Sequence, residues 1–298
     1  MKIGFSLSPG GLLLPYHLGA LAALSHHNYI TESTPLAGSS AGAIAVSSHA
    51  SGVPPLVALE AASRVSSKST PLFVARGGLI HSLKRELDHL LDPEAHTIIN
   101  EREGITALAH RELFPRNRSV LQTHFDTRQS LMDAVCDSSM FPFFLTNAPV
   151  RMVRRTGRLL PRMVVDGVFG CSMERCGCPD FDHCEERPVR GARDISSCLP
   201  TKSKYKVDRT IMVSVFPIEM LSLTTSPKTD QIGPAAEENM VIQAARLIRM
   251  ATQASSSTDL YDLYQQGHLD AENWIHDEER RARLRKQAER RQELKNEN

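Results

Sequence analysis

Read from its N-terminus, the chain alternates short apolar runs with stretches in which apolar residues recur every third or fourth position. The first pattern marks buried strands and the second amphipathic helices. Their alternation predicts an α/β layer fold with a mainly parallel central sheet flanked by helices. "KIGFSL" reads as the first strand, "PYHLGALAALSHH" as the following helix, "TPLAG" as a second strand and "AGAIAVSSHA" as a second helix. Pro15 falls in the first turn of its helix, where a missing N–H costs nothing.

Two further helical patterns follow, "PPLVALEAASRVSS" and "GLIHSLKRELDHLLD". The latter sets Leu79, Leu83, Leu87 and Leu90 or Leu91 on one face, which predicts a packing helix. "GITALAH" and "SVLQTHF" read as strands joined by the turn-rich "RELFPRNR". "TRQSLMDAVCDSS" reads as a helix capped by Thr127 or Asp126, and "RMVVDGVF" and "RTIMVSVFP" as two more strands.

Between those last strands, residues 170–208 are poor in aliphatic residues and rich in turn formers, so they form a Cys-rich loop excursion. From Pro234 the pattern is helical, and the final "DEERRARLRKQAERRQELKNEN" carries almost no apolar stripe. The expected organisation is a catalytic-type domain over 1–255 and a helical, charged C-terminal extension over 256–298, read as a solvated helix rather than a partner-binding one.

Composition narrows the picture. Across 298 residues, 41% hydrophobic and 23% charged residues describe an ordinary globule able to bury a sizeable core. The formal charge of +1 supplies no field toward phosphate, which argues against a nucleic-acid partner. Lys2 leads straight into a strand and a glycine turn instead of a cleavable apolar segment, and the stretch Gly10–Leu24 is too short to span a bilayer. A cytoplasmic, soluble or peripheral protein with reduced thiols is expected.

Among the six cysteines, Cys171, Cys176, Cys178, Cys184 and Cys198 crowd one segment together with His183. The spacing C-x4-C-x-C-x5-C lacks the paired C-x2-C units of zinc sites. Unpaired loop thiols are therefore expected, with no metal and no cofactor, and a metal-stabilised interaction module is the competing reading.

The chemistry-bearing stretch is "AGSSAGAIA". Gly38, Ser40 and Gly42 make a Gly-x-Ser-x-Gly pattern between a strand and a helix, the arrangement that lifts a serine onto a sharp turn. The pattern is short and composition alone can supply it, so its neighbours decide. "SPGG" places Gly10 and Gly11 at the end of the first strand, where backbone N–H groups are suited to hold an oxyanion; a phosphate cradle is disfavoured because neither GxGxxG nor GxxxxGK[ST] occurs. Asp166 ends a hydrophobic strand before Gly167, either as a base for the serine or as a plain Asp-Gly turn.

These pieces together resemble the patatin-like phospholipase family, particularly its branch containing adipose triglyceride lipase and adiponutrin. The resemblance lies in "GGLLLPYHLG", "GSSAG", the Ser-x-x-x-Pro of "SSMFPFF" and "VVDG", in that order over about residues 2–170. It implies a three-layer patatin-like fold and a Ser-Asp dyad. Ser40 would be the nucleophile and Asp166 the proton acceptor; Gly10 and Gly11 would form the oxyanion hole, and Gly38, Ala41 and Gly42 the nucleophile elbow. The implied activity is hydrolysis of acyl glycerolipids at a membrane or lipid-droplet surface, as a lipase or phospholipase. A catalytically silent lipid- or partner-binding member and an acyl transferase are the alternatives. No catalytic histidine is required, and His17 reads as a packed or capping residue. Two departures stand out: Pro9 precedes Gly10 and offers no N–H, and Val168 follows Asp-Gly. Leu12, Leu13, Leu14 and "MFPFF" are candidates either for the walls of an acyl pocket or for the core.

Overall fold

The computed structural model describes residues 2–69, 78–154, 160–183, 207–217 and 227–296. Among these residues, eight strands form one mixed sheet: β1 (Ile3–Leu7), β2 (Leu36–Ser39), β3 (Thr106–Phe114), β4 (Arg118–Gln122), β5 (Arg151–Val153), β6 (Arg162–Val165), β7 (Arg209–Val213) and β8 (Gln231–Ile232). The order is β5-β6-β3-β2-β1-β7-β8, with β4 paired to β3 off this path. β3, β2, β1, β7 and β8 run parallel to one another, while β4 and β6 run against β3 and β5 against β6.

The helices among the described residues are α1 (Leu14–His26), α2 (Ala41–Ala50), α3 (Pro55–Ser66), α4 (Leu79–Leu90), α5 (Ala95–Glu101), α6 (Arg128–Ser138), α7 (Met240–Thr252) and α8 (Ser257–Asn296). The α/β architecture with a mostly parallel central sheet and flanking helices is thus present as expected. Helix starts follow local chemistry. Pro15 lies in the first turn of α1, and Thr127 caps α6 in a reciprocal capping box with Ser130.

Alternation along the strands divides the core. Phe5, Leu7, Leu36, Leu108, Ile211 and Val213 join the helices in one large apolar cluster. The intervening residues Ala37, Ala107 and Ala109 face the other side, where Leu121 and Phe181 cover them. Small residues on that face let the segment after β6 lie close to the sheet.

Several boundaries differ from the sequence pattern for tertiary reasons. β3 continues through Arg111–Phe114, expected as a turn, because β4 and β6 supply ladder partners on its two edges. "SVLQTHF" leaves the sheet after Gln122; Asn100 accepts from the Phe125 N–H at 3.1 Å and donates to the Phe125 carbonyl at 2.8 Å, holding that backbone outside the ladder. β6 stops at Val165, where Asp166 caps a 3-10 turn over Gly167–Gly170. The short elements α5, β5 and β8 carry too few residues for a periodic signal.

One face of the first half of α8 is buried: Leu260, Tyr264, Ala271, Trp274 and Ile275 belong to the main core. Tyr16 of α1 donates to Asp270 at 2.7 Å, and the Trp274 indole donates to the Thr229 carbonyl at 2.8 Å. Beyond Arg281 the helix is exposed through Leu294, in keeping with its mixed-charge sequence. Among the described residues no helix is long and apolar enough to cross a membrane.

Candidate active site

The topology of β3 explains how two residues distant in sequence meet. β4 occupies one edge of β3 from Leu108 to Glu112, so β2 and β6 must share the other edge. β2 runs with β3 and ends with Ser39 opposite Ala109, whereas β6 runs against it and ends with Val165 opposite Arg111. Their carboxyl ends therefore point at each other across a gap of two residues, about 7 Å of strand. Ser40 and Asp166 are the residues that follow. Gly167 seals the junction: a Cβ there would lie 2.5 Å from the Ala109 carbonyl oxygen and 2.8 Å from Ser39 Cβ, so only glycine fits.

Ser40 sits on a strained turn, with φ +52° and ψ −119° immediately before α2. A non-glycine residue in this region costs on the order of 1–3 kcal/mol and persists only where the surroundings enforce it. Here they do so from two sides. The Ser40 N–H donates to Ser138 Oγ at 2.9 Å. Gly42 presses the start of α2 against β1, where a side chain would strike the Leu7 carbonyl at 2.5 Å. Ser39 points the other way, its hydroxyl donating to the Gly177 carbonyl at 2.7 Å. Ser40, not Ser39, lines the cleft described below.

Asp166 is fully buried. Its Oδ1 accepts the Val168 N–H at 2.9 Å, and its Oδ2 is buried without a hydrogen-bond partner among the described residues. Burial pushes its pKa up to about 7, with the Val168 amide and the Ser40 hydroxyl pulling the other way. The hydroxyl thus lies near enough to influence the carboxyl but outside hydrogen-bond geometry to Oδ2. A carboxylate tuned near neutrality is poised to exchange protons.

The glycine turn after β1 lies beside this pair because β1 and β2 are parallel neighbours, with Leu7 level with Gly38. Gly11 adopts φ +56°. No acceptor among the described residues takes the Gly10 or Gly11 N–H, so two unspent donors stand at this end of the sheet. His17 braces the turn: it is fully buried, its Nε2 contacts the Ser8 carbonyl at 2.8 Å, and burial lowers its pKa to about 4. It is a packed, neutral histidine.

An apolar cleft, about 720 Å³ including the open solvent at its mouth, leads away from Ser40. Its walls are Gly11, Leu12 and Leu14, then Ala41 and Ile44 of α2, Ala58, Ala61, Ala62 and Val65 of α3, and Leu79, Leu83, Leu87 and Leu90 of α4, with Phe144 and Leu145. The leucine face of α4 packs as expected, with Leu79, Leu83 and Leu87 in the main core, and the same residues also line the cleft. Of the other candidates, Leu13 is in the core, while Phe141 and Phe143 are exposed.

Behind the pair lies a buried ion network that periodicity does not reveal. Arg162, before Asp166 on β6, contacts Glu112 of β3 at 2.8 Å and Asp137 of α6 at 3.4 Å; Arg151 pairs with Asp133 and Asp137, each at 2.5 Å. It ties the strand bearing Asp166 to the helix ending in Ser138. Ser138 opens the Ser-x-x-x-Pro segment, so the sequence displayed the residue without its task.

Cys171 and Cys136 are held protonated, each with its pKa pushed up to about 12 by burial. Among the described residues no group of three or more His, Cys, Asp or Glu side chains is placed to hold a metal. Cys184 and Cys198 lie outside the described residues.

Two solved structures align with the chain at low similarity. VipD from Legionella pneumophila shares 11% identity at a TM-score of 0.41, covering 93% of this chain and 67% of that one. The heterodimeric ExoU-SpcU complex from the type III secretion system of Pseudomonas aeruginosa shares 12% identity at a TM-score of 0.40, covering 93% and 51%. The chain thus spans between half and two thirds of the length of these chains. Among curated proteins no sequence matches it. Residues 5–171, more than half of the chain and the part that contains the glycine turn, Ser40 and Asp166, match the patatin-like phospholipase family, and the chain belongs to that family.

Proposed function

We propose that the protein is a serine acyl hydrolase of glycerolipids working through Ser40 and Asp166. The observation that carries this reading is the head-on meeting of β2 and β6, which sets a strained serine beside a buried carboxylate of pKa about 7 at the mouth of an apolar cleft. Ser40 Oγ attacks the ester carbonyl as its proton passes to Asp166. The N–H groups of Gly10 and Gly11, with Ala41 at the positive end of α2, receive the oxyanion. Asp166 returns the proton to the departing alcohol; it then takes one from water, whose oxygen attacks the acyl-serine, and passes it to Ser40 Oγ as that bond breaks and the acid leaves.

Pro9 removes one N–H from the loop but neither of the two assigned here. The cleft's apolar walls favour a long acyl chain, and "PYHLG" after the glycine turn favours the branch with adipose triglyceride lipase and adiponutrin. Attachment to a membrane or droplet surface is supported by α7, whose first turn exposes Met240, Val241 and Ile242 and whose end lies against Gly11; flotation with phosphatidylcholine vesicles and with triolein emulsions tests it. The catalytic assignment is tested with a fluorophosphonate probe and a panel of acyl esters. Labelling and turnover are expected in the wild type and absent in Ser40→Ala, with Asp166→Asn folded but severely slowed. Full esterase activity in Ser40→Ala would sink the reading.

A further inference from the structure

The cleft is not uniformly apolar. Ser40, Ile44 and Ser48 recur every fourth residue from the start of α2, so they lie along one face, and all three line the cleft. Ser48 is 1% exposed and its Oγ has no hydrogen-bond partner among the described residues. Burying a hydroxyl without a partner is unfavourable, and such groups call for an explanation. On the facing helix α4, Glu86 also lines the cleft between Leu83 and Leu87; it is 4% exposed and is held by Arg64 at 2.8 Å. Glu86 is thus already paired, whereas a plain hydrocarbon chain would leave the Ser48 hydroxyl without a partner.

We propose that the cleft selects an oxygenated fatty acyl chain, one carrying a mid-chain hydroxyl that pairs with Ser48. This deepens the acyl-hydrolase reading and rests on it in taking the cleft beside Ser40 as the acyl site. The position of the oxygen follows from geometry. Eight residues of α2 separate Ser48 from Ser40, a rise of about 12 Å. An extended chain advances about 1.2 Å per bond, so the hydroxyl belongs about nine to eleven carbons from the ester. Ser48 can donate to or accept from it. The selectivity has a physical basis: an apolar pocket rejects an added hydroxyl weakly, whereas a pocket with a buried hydrogen-bonding group discriminates against the analogue that leaves that group unpaired.

The test compares stearic acid, 10-hydroxystearic acid and 2-hydroxystearic acid as free ligands displacing a fluorescent fatty acid, and their 4-nitrophenyl esters as substrates, in wild type and Ser48→Ala. One net hydrogen bond corresponds to roughly tenfold, so the wild type should bind 10-hydroxystearate about tenfold tighter than stearate. The 2-hydroxy isomer should show no such gain. Ser48→Ala should bring 10-hydroxystearate within about twofold of stearate, and an unchanged circular-dichroism spectrum and urea-denaturation transition report that the variant is folded. Equal affinities in the wild type, or a preference that survives Ser48→Ala, would overturn the inference. If the binding preference holds but none of the esters is cleaved, the ligand assignment stands and the catalytic reading is the one that fails.

Discussion

Replacing Asp166 with asparagine should severely slow turnover and yet stabilise the fold above neutral pH. The carboxyl is fully buried, and its pKa is raised from 3.8 to about 7, chiefly by burial. A carboxyl whose folded pKa lies above its unfolded value binds its proton more tightly in the folded state. Its contribution is therefore fully favourable below pH ~4 and is lost as pH rises toward 7. At about 1.4 kcal/mol per pKa unit, the loss reaches on the order of 4 kcal/mol at pH 8, an upper bound, and is less than half of that at pH 5. Asparagine keeps an oxygen to accept the Val168 N–H and carries no charge to desolvate. Urea denaturation of wild type and Asp166→Asn at pH 5, 6, 7 and 8 measures the gap directly. It should favour the variant and widen with pH, levelling off above 7. A gap that is constant or narrows would show that Asp166 is not a strained, desolvated base, and the proton-transfer argument would lose its footing. Inactivation coupled to stabilisation is the expected signature of a site tuned for activity at the expense of stability.

Three further outcomes follow from the same geometry. The wild-type pH profile of kcat/KM on a soluble ester should rise through a midpoint near 7, reaching only about a tenth of its plateau at pH 6, because the base must be ionised; a rise centred near pH 4 would exclude Asp166 as the base. Arg162→Ala removes the buried cation shared by Glu112 and Asp137, leaving Glu112 with Arg118 at 3.8 Å and Asp137 with Arg151, and should cost about 3 kcal/mol by urea denaturation; a loss below about 1 kcal/mol would mean the network does not hold the strand that bears Asp166. Leu83→Trp fills the cleft from α4, so hydrolysis of an 18-carbon ester should fall at least tenfold while 4-nitrophenyl acetate is cleaved as before; equal loss on both would place the acyl chain elsewhere.

Much of this was legible along the chain, and the limits have physical causes. Binary patterning located α1 to α4, β1, β2 and β7, because buried strands and amphipathic helices leave periods that local residues alone determine. It also delivered Gly10, Gly11, Ser40 and Asp166 as candidates, since a tight turn or an elbow restricts residue type locally. What it could not show was direction. Asp166 ends a hydrophobic strand whether that strand runs with the sheet or against it, and only the antiparallel pairing of β6 on the edge of β3 shared with β2 brings the carboxylate to Ser40.

The same holds for burial and partnership. α4 reads as a packing helix, and it packs, but an apolar stripe looks alike whether it meets a core or a cleft, and α3 and Phe144 make it a wall as well. The ion network through Arg162, the brace from Ser138 to Ser40 and the lone hydroxyl of Ser48 join residues tens of positions apart. By itself, the sequence determined which short segments are strand, helix or strained turn, and which residue types wait at their ends. The tertiary structure decided which ends face each other, because strand direction and side-chain environment come from long-range packing that no local pattern encodes.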